Sequence, residues 1–154
     1  MPMDTEKLLK LLNENKVDFV VIGATAFPVY GYARATLDID IFVRPESENI
    51  KRVKSALIEF GYDLTDISYD DLLKNKLLIR QYIVEADIHP FVKGVTFEEI
   101  WARKIKSKFG DIEVCFPSLE HMIKMKEAAG RAKDIEDLKY LKKIRDEKEA
   151  IKKA

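Results

Sequence analysis

Two acidic residues stand two positions apart in an otherwise apolar segment, and their type and spacing could do chemistry. Asp38 and Asp40 alternate with Ile39, Ile41 and Val43. Because side chains alternate along a β-strand, both carboxylates are expected on one face, roughly 6–7 Å apart, with the apolar residues facing the core. Two carboxylates this close repel unless a cation lies beside them. The pair therefore predicts a site for Mg²⁺ or Mn²⁺, which prefer oxygen ligands. A solvated polar face is the alternative.

A third acid, Asp87, lies in the apolar segment from Ile83 to Ile88. If that segment forms a neighbouring strand, Asp87 comes beside the pair. Three carboxylates on adjacent strands can hold two metal ions, the arrangement used for in-line displacement at phosphorus. Glu85 shares the strand face of Asp87 and is the alternative third ligand. His89 lies on that face too. A plain histidine at a strand end is the simpler interpretation, and a metal ligand or a group that contacts a ligand is the alternative.

A phosphate site is predicted upstream of the acids, where an apolar strand ends at Gly23 and a short helix begins. The missing side chain of glycine lets a phosphate approach the backbone, and the N–H groups of Gly23 and Ala24 at the helix start can point at it. An ordinary strand-to-helix turn is the alternative. Arg34 and Thr36 lie just before the acids and either contact phosphate or base or order the loop.

Helix and strand signals alternate along the chain and predict an α/β (α+β) protein with a mixed central sheet and flanking helices. Helices are predicted at 4–16, at 24–30, from a Ser47 cap to about Phe60, from Thr96 through Arg103, from a Ser118 cap to Ala129, and at 132–153. Strands are predicted at 17–22, 38–43, about 77–82, 83–89 and 112–116. Pro28 is expected to be tolerated only in the first turn of its helix.

Length and composition restrict the class of protein. The chain has 154 residues, which favours one domain over 1–154, with helices from about residue 118 to the end. The formal net charge is zero, which excludes a uniformly basic nucleic-acid coat. The sequence has one cysteine, no apolar run near 20 residues and no apolar leader, so we expect a cytoplasmic protein without membrane contact. Five Asn and Gln residues against twenty lysines suggest a thermophilic source.

These residues together resemble the signature of the DNA polymerase β-like nucleotidyltransferase superfamily, in which a glycine turn precedes a D-x-D pair. The matching residues are Ile22, Gly23, Ala24, Thr25, Ala26, Gly31, Arg34, Thr36, Asp38 and Asp40. Within this superfamily, the chain resembles the small bacterial and archaeal members, which are related to AbiEii-type and type IV toxin–antitoxin nucleotidyltransferases. The segment from Ser118 to Leu138 resembles the closing helices of these families, and the resemblance spans about residues 17–142.

The resemblance implies a nucleotidyltransferase fold and transfer of a nucleoside monophosphate from an NTP to a hydroxyl acceptor, with release of pyrophosphate. It implies two Mg²⁺ ions, with Mn²⁺ as a substitute. Asp38 and Asp40 would bridge the metals and the triphosphate, and Asp87 would bind the second metal and favour deprotonation of the attacking hydroxyl. The acceptor stays open among a protein side chain, a tRNA end and a small molecule.

The resemblance also assigns phosphate contacts to residues far apart in sequence. Backbone N–H groups at Gly23 and Ala24 would hold the terminal phosphates. Lys126, Arg131 and Lys133 would add positive charge near the pyrophosphate or the acceptor. One departure is Ala24, where the family has glycine or serine. The alternative function is therefore a weak or inactive member that binds a nucleotide or a helical partner protein, as a toxin–antitoxin module would.

Overall fold

The computed structural model describes residues 2–31, 38–81 and 84–153. Its α-helices are α1 Pro2–Glu14, α2 Ser47–Phe60, α3 Tyr69–Lys74, α4 Phe97–Ala102, α5 Leu119–Ala129 and α6 Asp134–Lys153, and a 3-10 helix covers Gly23–Tyr30. The strands are β1 Phe19–Ile22, β2 Asp38–Val43, β3 Leu77–Ile79, β4 Glu85–His89, β5 Ile105–Phe109 and β6 Ile112–Phe116. Within these ranges, no helix has both the length and the apolar character that crossing a membrane requires.

The central sheet is mixed and has the strand order β1-β2-β4-β3. β2 pairs antiparallel with β1 and parallel with β4, and β3 pairs antiparallel with β4 on its other side. β5 and β6 form a separate antiparallel hairpin. The mixed sheet and its flanking helices confirm the predicted fold class. The parallel pairing decides the chemistry, because it places Asp40 opposite Asp87 and Asp38 opposite Glu85.

The alternation along β2 separates the core from the open face of the sheet. Ile39, Ile41 and Val43 are buried, and they belong to the same apolar cluster as residues of α1 and α2. Asp38 and Asp40 lie on the opposite face and are half-buried. Burial of the apolar side chains therefore fixes which way the two acids point, as the sequence pattern predicts.

Several local predictions were wrong or incomplete. The segment after β1, Gly23–Tyr30, is a 3-10 helix, and Pro28 is its sixth residue rather than a first-turn residue. The cap of α2 is Glu46, one residue before the predicted Ser47. The sequence did not predict α3 or β5. β5 carries exposed lysines at positions 106 and 108, so its strand pattern lacks the buried apolar residues on which the prediction relies.

The two C-terminal helices are joined by a compact group of charges. The ammonium of Lys126 on α5 lies 3.1 Å from Asp134 Oδ1 and 3.3 Å from Asp137 Oδ2, both on α6. Arg131 Nε also donates to Asp134 Oδ2 at 2.8 Å. Asp134 is 1% exposed. Burial raises the pKa of Asp134, but the hydrogen bonds from Arg131 and Lys126 outweigh it and lower the pKa to about 2.

This low pKa predicts how the stability of the chain depends on pH. Because the carboxyl of Asp134 holds its proton more weakly in the folded chain than in the unfolded one, its contribution is complete above about pH 4 and is lost as the pH falls towards 2. We expect Asp134→Asn to lower the free energy of unfolding by about 2 kcal/mol at pH 7. This difference in unfolding free energy between the variant and wild type should shrink as the pH approaches 2. Urea titrations at each pH measure it.

The control is Asp146→Asn on the same helix, whose side chain is 66% exposed. We expect it to change the unfolding free energy by less than about 0.5 kcal/mol at either pH. An Asp134→Asn deficit that stays equal at pH 7 and near pH 2 would contradict the ionised state of this carboxylate.

Candidate active site

A cleft of about 410 Å³ opens over the acidic face of the sheet. One side of it is formed by β2, β4 and the residues around β3, and the other by the start of the 3-10 helix and the turn between α5 and α6. All the described residues that the sequence predicted for the site line this cleft: Gly23, Ala24, Asp38, Asp40, Asp87, Lys126, Arg131 and Lys133. The predicted contacts of Arg34 and Thr36 lie outside the residues that the structure describes.

The cleft contains a compact group of possible metal ligands. Asp40, Asp87 and His89 each offer one ligand atom, and these atoms lie within 4.8 Å of one another. Asp87 is 5% exposed, and His89 Nε2 lies 2.9 Å from Asp40 Oδ1. Two carboxylates and an imidazole this close can converge on one divalent cation. The two carboxylates fit Mg²⁺ or Mn²⁺, whereas an imidazole ligand would favour an ion such as Zn²⁺ or Fe²⁺. The sequence predicts a ligand role for His89 only as the alternative, and its contact with Asp40 makes it a candidate ligand or an orienting group.

Asp38 faces a different partner, the guanidinium of Arg80. Arg80 Nη1 donates to Asp87 Oδ1 at 2.6 Å, and Nη2 lies 3.4 Å from Asp38 Oδ2. Arg80 Nε also lies 3.7 Å from Glu85 Oε2. The hydrogen bond to Asp87 is the main cause that raises the pKa of Arg80. The sequence predicts a metal from the repulsion between the acids on this face. Arg80 already relieves part of that repulsion.

Sequence reasoning missed Arg80, although a weak signal for it exists. Lys76, Leu78 and Arg80 alternate around β3, so they share a face, and Leu78 pairs with Asp87 in the sheet. All three line the cleft. The strand has only three residues, which is too short for alternation alone to reveal a functional face.

Gly23 is required by both the backbone and the space beside it. Its φ is +71°, a conformation that disfavours residues with a side chain. A Cβ at this position would lie 2.7 Å from Asp40 Oδ2, too close for a stable contact. The glycine therefore lets the turn before the 3-10 helix approach the carboxylate of Asp40, which places the predicted phosphate-binding turn beside a candidate metal ligand.

Positive charge lies on the other side of the cleft, but it is distributed unevenly. Lys126 is paired with Asp134 and Asp137, so two carboxylates compensate its charge. The sequence did not predict this pairing. The side chain of Arg131 is 56% exposed, and Asp40 is among the charges that raise its pKa, after the hydrogen bond to Asp134. Arg131 and the exposed Lys133 are therefore the more accessible cations of this wall.

The match to a known protein family agrees with the geometry of the cleft. A comparison with curated proteins found no match. Residues 3–146 match a family described as nucleotidyltransferase of unknown function (DUF6036). The matched range contains the acids, the glycine turn and the cationic residues of the cleft. Because the match covers most of the chain, the protein belongs to this family of nucleotidyltransferases of unknown function.

Proposed function

We propose that the protein is a metal-dependent nucleotidyltransferase that moves a nucleoside monophosphate from an NTP to a hydroxyl acceptor and releases pyrophosphate. The observation that carries the proposal is one cleft with carboxylates on the sheet, a glycine turn beside Asp40 and exposed cations on the opposite wall. This charge distribution is complementary to a metal–triphosphate complex. The metal ions would bind the carboxylates, and the outer phosphates would contact Arg131 and Lys133. One nucleotidyltransferase domain over 1–154 is part of the proposal.

The metal ligands would be Asp38, Asp40 and Asp87, with His89 as a further candidate. The ligand atoms of Asp40, Asp87 and His89 lie close enough together to support one metal site, and Asp38 would take part in a second metal site. Bound Mg²⁺ would stabilise the negative charge that develops on the phosphoryl oxygens. Asp87 is favoured over Glu85 because Asp87 offers a ligand atom close to those of Asp40 and His89, whereas the Glu85 side chain is 44% exposed.

The residues of the chain then have distinct tasks in the transfer. The acceptor oxygen attacks the α-phosphorus, an O–P bond forms, and the bond from that phosphorus to the pyrophosphate oxygen breaks. The Asp87 carboxylate accepts the hydroxyl proton or passes it to water. The backbone at Gly23 and Ala24 would bind the terminal phosphates. Arg131 and Lys133 would neutralise the departing pyrophosphate.

A second candidate is a member of the family that binds a nucleotide or a partner protein without transferring the nucleotide. Ala24 favours this candidate, because a serine hydroxyl that could donate to a phosphate is missing from the turn. A relationship to AbiEii-type and toxin–antitoxin nucleotidyltransferases belongs to the same proposal. The acceptor stays open among protein, tRNA and small molecule.

The transfer assay with an Asp87 variant tests the proposed function. Each NTP, labelled at the α-phosphate, is incubated with Mg²⁺, the protein and a cell lysate, and labelled acceptor and released pyrophosphate are measured. We expect Asp87→Asn to lower transfer at least about 100-fold, since it removes both a metal ligand and a proton acceptor. Glu85→Gln, on the same strand face, is the matched control and should change transfer only mildly.

The outcomes separate the candidates. Equal transfer by wild type and Asp87→Asn would remove Asp87 from the site, and a larger loss in Glu85→Gln would move its role to Glu85. Nucleotide binding without labelled acceptor or pyrophosphate under every condition would favour the non-transferring candidate.

A variant of the glycine turn tests where the triphosphate binds. We expect Gly23→Ala to weaken binding of a Mg²⁺–NTP complex at least about tenfold by calorimetry, because its Cβ would displace Asp40 and occupy the approach to the turn. It should also cost about 1–2 kcal/mol of stability, since its φ is positive.

Gly31→Ala is a matched control for this variant. Gly31 has a φ of +84°, so the backbone strain is similar, but a Cβ there meets no atom within 4 Å among the residues that the structure describes. It should lose stability and keep NTP affinity. Equal affinities for folded Gly23→Ala and wild type would show that the phosphates bind elsewhere.

A further inference from the structure

Arg80 occupies an unusual position for a residue at the end of an edge strand. It follows β3, and its guanidinium reaches across β4 to β2, where it meets Asp87, Asp38 and Glu85. A single side chain therefore contacts carboxylates of both strands that carry the candidate metal ligands. Its three nitrogen atoms are each directed at a different acid, an arrangement that a lysine ammonium could not reproduce.

The contact with Asp87 competes directly with a metal. Arg80 Nη1 lies 2.6 Å from Asp87 Oδ1, and the Asp87 side chain is 7% exposed, so water screens this pair little. A divalent ion bound to the same carboxylate would lie about 2 Å from its oxygen. Two positive charges would then share one carboxylate within a few ångströms, which is strongly unfavourable.

Arg80 is also placed so that it can leave. Its side chain is 44% exposed and lines the cleft, so its guanidinium can turn towards a ligand in the cleft. A triphosphate in the cleft would offer the guanidinium new anionic partners, with the bidentate geometry that arginine forms with phosphate. Arg80 thus has negatively charged partners in both states: the carboxylates in the metal-free site and the phosphates when a nucleotide is bound.

We propose that Arg80 is an internal cation that replaces a divalent metal between Asp38 and Asp87, and that its transfer to the triphosphate makes metal binding depend on the nucleotide. The proposal rests on the proposed function and adds regulation to it. Without nucleotide, Arg80 keeps the affinity for the metal low. When the nucleotide binds, Arg80 moves to the phosphates and the carboxylates become available to the metal.

The test measures binding of Mn²⁺ alone, by calorimetry and by the electron paramagnetic resonance signal of free Mn²⁺. We expect Arg80→Gln to bind Mn²⁺ about tenfold more tightly than wild type, because a competing cation is removed. A non-hydrolysable NTP analogue should raise the Mn²⁺ affinity of wild type strongly and that of Arg80→Gln much less. Metal-free Arg80→Gln should melt at a lower temperature than wild type, and Mn²⁺ should raise its melting temperature more.

Two further variants make the test specific. Arg44→Gln is the matched control, because Arg44 pairs with Asp18 and Glu98 outside the cleft; it should alter stability and leave Mn²⁺ affinity unchanged. Arg80→Lys keeps the charge but cannot span three acids, so its Mn²⁺ affinity should lie between those of wild type and Arg80→Gln. It also provides the measurement if Arg80→Gln does not fold.

The outcomes distinguish this proposal from the proposed function. Equal or weaker Mn²⁺ binding in Arg80→Gln and Arg80→Lys, or none in any variant, would overturn the role of Arg80. If those variants still bind the NTP analogue, the proposed function is unaffected. A further outcome is tighter Mn²⁺ binding in Arg80→Gln together with no nucleotide binding by any variant. This result would support Arg80 as an internal cation among the acids. It would overturn the transfer of Arg80 to the triphosphate, and with it the proposed function.

Discussion

Repulsion among carboxylates on one face of the sheet is the constraint on which the rest of the site depends. The parallel register of β2 and β4 places Asp38 and Asp40 beside Glu85 and Asp87. Such a concentration of negative charge is stable only with cations close by. The structure supplies the guanidinium of Arg80, which follows β3, and the Asp40 carboxylate also contacts the ring of His89 at the end of β4. The same negative charge is what makes the face suitable for a divalent metal.

Two close approaches build the remainder of the cleft around this face. The positive φ and missing side chain of Gly23 bring the turn before the 3-10 helix against Asp40. On the other side, the pairing of Lys126 with Asp134 and Asp137 fixes α6 against α5. This pairing gives Lys126 a structural task. Arg131 lies in the turn between α5 and α6, and its half-exposed side chain is the better placed group for a phosphate.

The parts of the fold that follow from local patterns could be predicted from the sequence. The alternation of β2 predicted its bounds and the side on which Asp38 and Asp40 lie, because burial of isoleucines leaves the acids only one direction. The capping box at Thr96 and the glycine after α5 predicted helix ends for the same local reason. The cleft residues near Gly23 could be predicted because a glycine turn before two acids already limits the chemistry.

Contacts between distant segments could not be predicted in this way. No local pattern shows which residues of β2 and β4 face each other. The expected place of Asp87 beside the acid pair depended on the assumption that its segment forms the neighbouring strand, and the pairing of Asp40 with Asp87 confirms it. Arg80 directly follows a three-residue strand, so its place among the acids follows from the sheet order rather than from alternation. The partners of Lys126 were missed because a charged helix face is usually solvated, whereas Asp134 and Asp137 are buried in the fold.

The most direct measurement is anomalous diffraction from crystals grown with Mn²⁺ and a non-hydrolysable NTP analogue. If the cleft is a metal-dependent nucleotidyltransferase site, an anomalous peak should lie about 2 Å from carboxylate oxygens of Asp40 and Asp87. The triphosphate should lie between that peak and the turn at Gly23. A nucleotide bound in the cleft with no manganese at these carboxylates, or a nucleotide and manganese bound elsewhere on the protein, would contradict this assignment.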